Sequence, residues 1–357
     1  MKKILLFQQF FPHYRAGTLQ KICDIPDIEW LFAGMEKDPD EPSIFPWTHS
    51  DDIYINKITA VNFFGLRIHI GLFKWAFSDV DALILVGNAK WPMVWVTAIF
   101  GRLFGKKIIF WSHGWLRDEK SFKAIIRWVF YNISHALIFY NEKAGKIMRK
   151  KGYLGKIYTI YNSVGIGYES PKGRQASVPL NPELNYLISV ARLIPSRNHE
   201  FLFSALHKLK DHCIGLILIG DGPDREKLET LASEMNIEVV FAGACYDPAF
   251  LEKMYNLSFA SVMTGRVGLS IIQSLQMGVP VIAHSDADDQ HPEFEVLENR
   301  YNSYLYENGN VADLGRVIRY AQQNPIINCA SNCKMSVQFY NPDYQRGVIE
   351  KLAKDML

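Results

Sequence analysis

Short apolar runs alternate with stretches of helical periodicity along almost the whole chain. The runs Ile4–Gln8, Ala82–Val86, Lys107–Trp111, Ala136–Phe139 and Ile157–Tyr161 have the length and residue content of buried strands. A second series follows at Tyr186–Val190, Gly215–Ile219, Glu238–Phe241, Phe259–Met263 and Val279–Ala283. Helical patterns separate them, among them Phe201–Lys210, Arg225–Met235 and Ala312–Gln322. A last helix is predicted over Tyr344–Leu357, announced by Asn341-Pro342-Asp343. Alternation of this kind builds parallel sheets with helices on both faces. Two series predict two doubly wound α/β domains, each offering ligand sites at the carboxyl ends of its strands. The Gly- and Pro-rich stretch Asn162–Glu183 lacks periodicity and is predicted to join them.

Two apolar segments invite a membrane reading and fail it. Gln8 and Gln9 interrupt the run after Met1-Lys2-Lys3, which favours a buried first strand over a secretory leader. Trp91–Phe100 meets Arg102 and is too short to span a bilayer.

The chain has 357 residues, 48% of them apolar and 21% charged, which fits a folded two-domain protein and excludes a disordered one. Its net charge of +2 hides an asymmetry. Residues 1–163 hold 22 Lys and Arg against 14 Asp and Glu, and the remainder holds 17 against 23. A basic first half suits an anionic lipid, phosphate or polyanion, although uneven solvated charge would look the same. Basic and aromatic residues mingle over Lys120–Lys151, with Trp91, Trp95, Arg102, Lys106 and Lys107 nearby. Amphipathic helices of that composition can lie on an anionic membrane surface, or can simply be solvated faces over a core. Cys23, Cys213, Cys245, Cys329 and Cys333 form no zinc pattern and are expected to be reduced thiols in a cytoplasmic protein.

Candidate chemistry gathers where predicted strands end. Gly265-Arg266-Val267-Gly268-Leu269-Ser270 leads from a strand into a helix that begins at about Ser270 and ends at Gly278. A loop feeding a helix beside a parallel sheet is an anion site, since its amides and the helix dipole point the same way. Arg192 and Arg197 lie five apart on the loop after Tyr186–Val190, and guanidinium forks suit a diphosphate. Ile219-Gly220-Asp221-Gly222-Pro223 and Phe241-Ala242-Gly243 follow further strands as turns. In the first half, Trp111-Ser112-His113-Gly114 and Phe11-Pro12-His13-Tyr14-Arg15-Ala16-Gly17 follow strands. Arg15 would pair with a phosphate or form an ion pair inside the protein. Asp286, Asp288 and Asp289 make an acidic loop, read as solvated rather than cation-binding.

These segments resemble family 4 glycosyltransferases. Their donor motif runs Glu-Gly-Phe-Gly-Leu, three residues, Glu-Ala-Met-Ala, one residue, then Gly-x-Pro-Val-Ile-Ala. Here Gly268-Leu269 and Gly278-Val279-Pro280-Val281-Ile282-Ala283 match, while Gly265 and Gln273 replace the two glutamates. Arg192-Leu193 and Arg197 resemble the Gly-Arg-Leu…Lys-Gly pattern, with Arg for Lys. Gly220-Asp221-Gly222-Pro223, Phe241-Ala242-Gly243, His113-Gly114 and Asn162-Ser163-Val164 match further points in order.

The resemblance implies a GT-B fold, with two Rossmann-like domains facing across a cleft. Residues 1–164 would be the acceptor side, 165–338 the nucleotide-sugar side, and 339–357 a helix returning to the first domain. It implies sugar transfer from a nucleotide-diphosphate sugar to an acceptor hydroxyl, retaining and metal-independent, with no separate cofactor. His113, Arg192 and Arg197 would be catalytic. Gly220, Gly243, Gly265, Arg266, Gly268, Leu269, Ser270 and Gln273 would hold the donor, and His13, Arg15 and Gly17 would face the acceptor. The implied partners are a nucleotide sugar, a glycan or lipid-linked acceptor and an anionic membrane surface, with no nucleic acid. The implied place is the cytoplasm, peripheral on the inner face of the membrane. Two other classes stay open: a GT-B subunit that binds without turnover, and a sugar-nucleotide epimerase, whose catalytic carboxylates are not evident.

Overall fold

The computed structural model describes residues 1–37, 54–115, 121–163, 178–209 and 212–357. They form two compact units, one of residues up to 163 with Tyr340–Leu357, the other of residues 178–339. The strands of the first unit are β1 (Lys2–Phe10), β2 (Ile28–Met35) and β3 (Ile55–Lys57), a hairpin of β4 (Thr59–Phe63) and β5 (Leu66–Ile70), then β6 (Ala82–Val86), β7 (Lys107–Ser112), β8 (Ala136–Phe139) and β9 (Lys156–Thr159). Its main sheet has the order β3-β2-β1-β6-β7-β8-β9, with every neighbouring pair parallel. The helices are α1 (Ala16–Cys23), α2 (Pro92–Leu103), α3 (Phe122–Asn132) and α4 (Glu142–Lys150). Ser121 and Asn141 cap α3 and α4, each accepting the backbone N–H three residues on.

The second unit repeats the plan without the hairpin. Strands β10 (Asn185–Val190), β11 (Ile214–Ile219), β12 (Val239–Gly243), β13 (Ser258–Met263), β14 (Val281–His284) and β15 (Ser303–Tyr306) stand in the order β12-β11-β10-β13-β14-β15, all parallel. Helices α5 (His199–His207), α6 (Arg225–Glu234), α7 (Pro248–Asn256), α8 (Leu269–Gln276), α9 (Val311–Gln323) and α10 (Cys329–Ser336) cover it. Strand order reverses between β1 and β6 in one sheet and between β10 and β13 in the other. Ligands of doubly wound sheets bind beyond the strand ends at such points.

The final helix, α11 (Pro342–Met356), packs on the first unit. Asn341 caps it, accepting from Tyr344 N at 2.9 Å, with Pro342 at its first turn. Ile349, Leu352 and Ala353 join Ile4, Leu6, Ala16, Leu19 and Ile22 in the core on one side of the sheet. The Oε1 of buried Gln345 accepts from Thr18 at 2.5 Å and Ser163 at 2.8 Å, and its Nε2 donates to Tyr161 O at 2.7 Å. The other side of the sheet is covered by the segment Phe73–Ala76 with α2, α3 and α4, which bury Trp75, Val94, Ala98, Ala124, Phe130 and Met148.

Several bounds differ from those read in the sequence. β2, β3, the hairpin and β15 were not among the predicted strands. β14 begins at Val281 rather than Val279, and α8 starts at Leu269 and closes before Gly278, which takes the left-handed φ of +80°. Of the predicted joining stretch, residues 164–177 lie outside the described residues, as does Lys120 of the basic cluster.

One core residue sets an acid limit on the first unit. His69 of β5 is fully buried between Phe7 and Trp91, and neither ring nitrogen has a hydrogen-bond partner. Burial, with Arg67 adding repulsion, lowers its pKa to about 4. The unfolded chain takes up this proton near pH 6.5, which the folded chain resists until about pH 4. This contribution to stability is therefore intact above pH 6.5 and falls away between pH 6.5 and 4. His69→Phe should keep about 3 kcal/mol more of its neutral-pH stability at pH 4 than the parent protein, measured by urea unfolding at both pH values. Equal losses in the two proteins would contradict a neutral buried imidazole.

Candidate functional site

The sequence-derived donor residues converge at the switch point of the second sheet. β10 ends at Val190, and residues 191–198 leave it as a loop with one 3-10 turn over Pro195–Arg197. β13 ends at Met263, and residues 264–268 lead into α8. The two loops are fastened to each other. The Thr264 hydroxyl lies 3.0 Å from the carbonyl oxygens of both Arg197 and Asn198, and Arg197 Nη1 donates to the Arg266 carbonyl at 2.8 Å. Gly265 packs flat on the first loop, so that a Cβ there would stand 2.4 Å from Ser196 O and 3.0 Å from the Arg197 Cα. At Gly265 there is thus neighbouring backbone where a side chain would begin.

Glycine does the same work on the other flank. Gly220 has φ +151°, and a Cβ would fall 1.8 Å from Ala191 O; at Gly222 the neighbour is Leu193 O at 2.3 Å. The β11–α6 turn therefore lies directly on the Arg192 loop, held by Leu193 N to Asp221 O and Asp224 N to Leu193 O. Gly243, at φ +75°, ends β12, and its N–H-bearing neighbour Gly220 donates to its carbonyl at 2.9 Å. Gly220 and Gly243 thus shape the loops, and Arg192 stands exposed on the loop they support.

At the start of α8, Gly268 is the N-cap, with open space around its α-carbon. The N–H groups of Leu269 and Ser270 occupy the first turn, where no preceding helical carbonyl can take them. The Val267 amide is already used, donating to Gln290 Oε1 at 2.7 Å. Ser270 Oγ lies 3.8 Å from Met263 Sδ, and Gln273 is half-buried one turn further on. Arg266 does not project freely: its Nε and Nη2 lie 3.2 and 2.7 Å from Asp289 Oδ1. Asp289 is therefore an ion-pair partner rather than a solvated acid. His199, nine-tenths or more buried beside Arg197, has its pKa lowered to about 4 by burial and then by that guanidinium, so it is neutral at physiological pH.

The first unit carries the remaining candidates. His13 and Arg15 form the turn between β1 and α1, and Gly17 lies in the first turn of α1, with Pro342 in ordinary contact range. Arg15 Nη2 donates to the Tyr140 hydroxyl at 2.7 Å, and the His113 ring sits 4.8 Å from the same aromatic ring. Tyr140 thus joins Arg15 and His113, which were read separately in the sequence; its only sequence signal is its place directly after β8. Behind His113, Gly114 has φ +70°, and a Cβ would meet Ala144 and Phe139 at 2.7 and 2.8 Å. A small pocket under Arg15 is lined by Gln8, Thr18, Trp111, Tyr140, Asn162 and Gln345. Among the described residues no three His, Cys, Asp or Glu side chains gather as a metal set, and no helix is long and apolar enough to cross a membrane.

Comparison with known proteins follows this division. Residues 174–337 match the family model described as Glycosyl transferases group 1. EpsD of Bacillus subtilis, named as a glycosyltransferase, is 23% identical over 249 residues, 63% of this chain and 62% of its own length. A Campylobacter jejuni enzyme is 28% identical over 130 residues, 36% of this chain and 34% of its own. Its name is N-acetylgalactosamine-N,N'-diacetylbacillosaminyl-diphospho-undecaprenol 4-alpha-N-acetylgalactosaminyltransferase. The matched regions thus span less than two thirds of either relative. Among solved structures, the lipopolysaccharide outer core galactosyltransferase WaaB superimposes with a TM-score of 0.71 at 14% identity, covering 99% of this chain and 100% of that one. HepE of Anabaena, in complex with UDP, gives 0.68 at 16% identity, with coverage of 99% and 100%. These likenesses show the GT-B fold, with two Rossmann-like units.

Proposed function

We propose, on the premise that residues 174–337 are a glycosyl transferases group 1 domain, that this protein transfers a sugar from a nucleotide-diphosphate sugar to a hydroxyl of a glycan or lipid-linked acceptor. The observation that carries this reading is the second sheet's switch point. There the loop bearing Arg192 and Arg197 and the loop entering α8 are locked together by the Thr264 hydroxyl, the Arg197 guanidinium and the close packing at Gly265. Breaking the bond from sugar to phosphate puts negative charge on the leaving diphosphate while the sugar becomes oxocarbenium-like. On this proposal Arg192, Arg197 and the Leu269 and Ser270 amides take up that charge. In this reading the cations replace a metal, and transfer proceeds with retention.

Arg15, Tyr140 and His113 form the acceptor side, where Tyr140 fixes the guanidinium by hydrogen bond. The name of the Campylobacter jejuni relative, with its diphospho-undecaprenol acceptor, supports a role in surface polysaccharide or lipid-linked glycan synthesis. With Gly265 unable to carry a side chain and Arg266 held by Asp289, donor-sugar hydroxyls must be read by backbone or by Gln273.

The test is thermal-shift binding across UDP-, GDP- and dTDP-sugars, with hits taken into transfer assays on lipid-linked and free glycan acceptors. One nucleotide sugar should raise the melting temperature and be consumed only when an acceptor is present. Binding without transfer across the panel would favour a non-catalytic subunit, and conversion of the donor alone would favour an epimerase. Absence of any nucleotide binding would overturn the reading.

A further inference from the structure

The cover on one side of the first sheet is unusually apolar on its outer surface. Of the 23 large hydrophobic side chains exposed among the described residues, 15 lie in the β4–β5 hairpin, the Phe73–Phe77 segment, α2, α3 and the short links beside them. In α3 the spacing Phe122, Ile125, Ile126, Val129 draws a single stripe, and it is the outward one, since Ala124, Phe130 and Tyr131 fill the core. The hairpin tip presents Phe63 and Phe64, exposed at 63% and 91%. At the end of α2, Leu103 and Phe104 are exposed at 74% and 59%. These pieces are continuous. Phe77 touches Phe100 and Phe104 ring to ring, β5 packs on α2, and Arg102 Nη1 donates to Ile133 O at the end of α3.

Charge says what covers this face. The described residues between 54 and 141 contain nine Lys and Arg and only two acids, Asp79 and Asp81. Both acids are ion-paired with Lys3 and Lys2 at the amino end of β1. Arg102 and Lys123 are exposed among the apolar residues of α2 and α3. A second copy of this chain would set cations against cations, whereas an anionic bilayer offers apolar depth and opposite charge together. We propose that this face, formed by the hairpin tip, the end of α2 and the outer stripe of α3, inserts into the interface of an anionic lipid membrane. The proposal extends the lipid-linked acceptor reading to a defined surface, and it rests on that surface rather than on turnover.

The experiment is flotation of the full chain with phosphatidylcholine vesicles and with vesicles holding about a third phosphatidylglycerol. The parent protein should float with the anionic vesicles only. Leu103→Ser/Phe104→Ser should weaken this partition at least tenfold, and Arg102→Glu/Lys123→Glu should do the same, while both variants keep the parent's melting temperature and nucleotide-sugar thermal shift. Lack of partition by the parent, or parent-like partition by both variants, would overturn the proposal. So would a dimer in light scattering that the Leu103/Phe104 variant dissolves. A variant that no longer melts cooperatively is replaced by Phe63→Ser/Phe64→Ser at the hairpin tip, which is read by the same criteria. Loss of nucleotide binding with partition intact would count against the transferase reading and leave this one standing.

Discussion

Gly265→Glu, which introduces the glutamate of the motif that this loop resembles, is expected to weaken this protein rather than improve it. The cost begins at the β-carbon, which would lie 2.4 Å from Ser196 O and 3.0 Å from the Arg197 Cα. Those are backbone atoms of a loop pinned by Thr264 and by Arg197 itself, so they cannot swing aside as a flexible side chain would. Overpacking of this kind costs about 3 kcal/mol, and for a unit of this size a loss of roughly 6–12 °C in melting temperature should follow. Gly265→Ala should suffer most of the same loss, because the clash lies at Cβ and not at the carboxylate. Transfer should fall with stability in both, since the displaced loop carries Arg197. A Gly265→Glu protein with the parent's melting temperature and faster turnover would show that the loop can yield.

Arg192→Ala should lower kcat/KM for the donor by about 10²–10³-fold, the usual cost of removing one charge-stabilising donor from a transition state. Because Arg192 is exposed on its loop, the melting temperature should change little. Arg192→Lys should recover only part of the loss, since an ammonium keeps the charge but not the bidentate fork. The pair separates charge from geometry, which Arg197 cannot do as cleanly: its guanidinium also holds the Arg266 carbonyl, and its removal would loosen the loop. Steady-state kinetics with the nucleotide sugar that binds would decide the matter. Unchanged kcat/KM in Arg192→Ala would remove the diphosphate role.

The sequence was most legible where buried strands are uniformly apolar. Ala82–Val86 and Ala136–Phe139 are inner strands of their sheet, covered on both faces, and their bounds coincide with those read from the pattern. The hairpin was illegible for a physical reason: Phe63, Phe64 and Leu66 are apolar on the outside, so alternation does not mark the inward face. β15 is short and begins with Ser303. At the site, residue identity located the loops but not the reason for their glycines. Nothing in Gly220 or Gly265 announces a carbonyl from a loop some 30 or 70 residues away in sequence, and nothing in Arg266 names Asp289. Such pairings depend on which loop lies beside which, and strand order decides that.

The buried triad of Thr18, Ser163 and Gln345 bears on the order in which the chain becomes protein. The first unit is discontinuous: its core on the α11 side needs Ile349 and Leu352, which follow the whole second unit along the chain. The second unit is contiguous and complete before α11 begins. During synthesis the half made later can therefore close first, while the half made earlier waits with one face of its sheet only partly covered, by α1, a client for chaperones until α11 emerges.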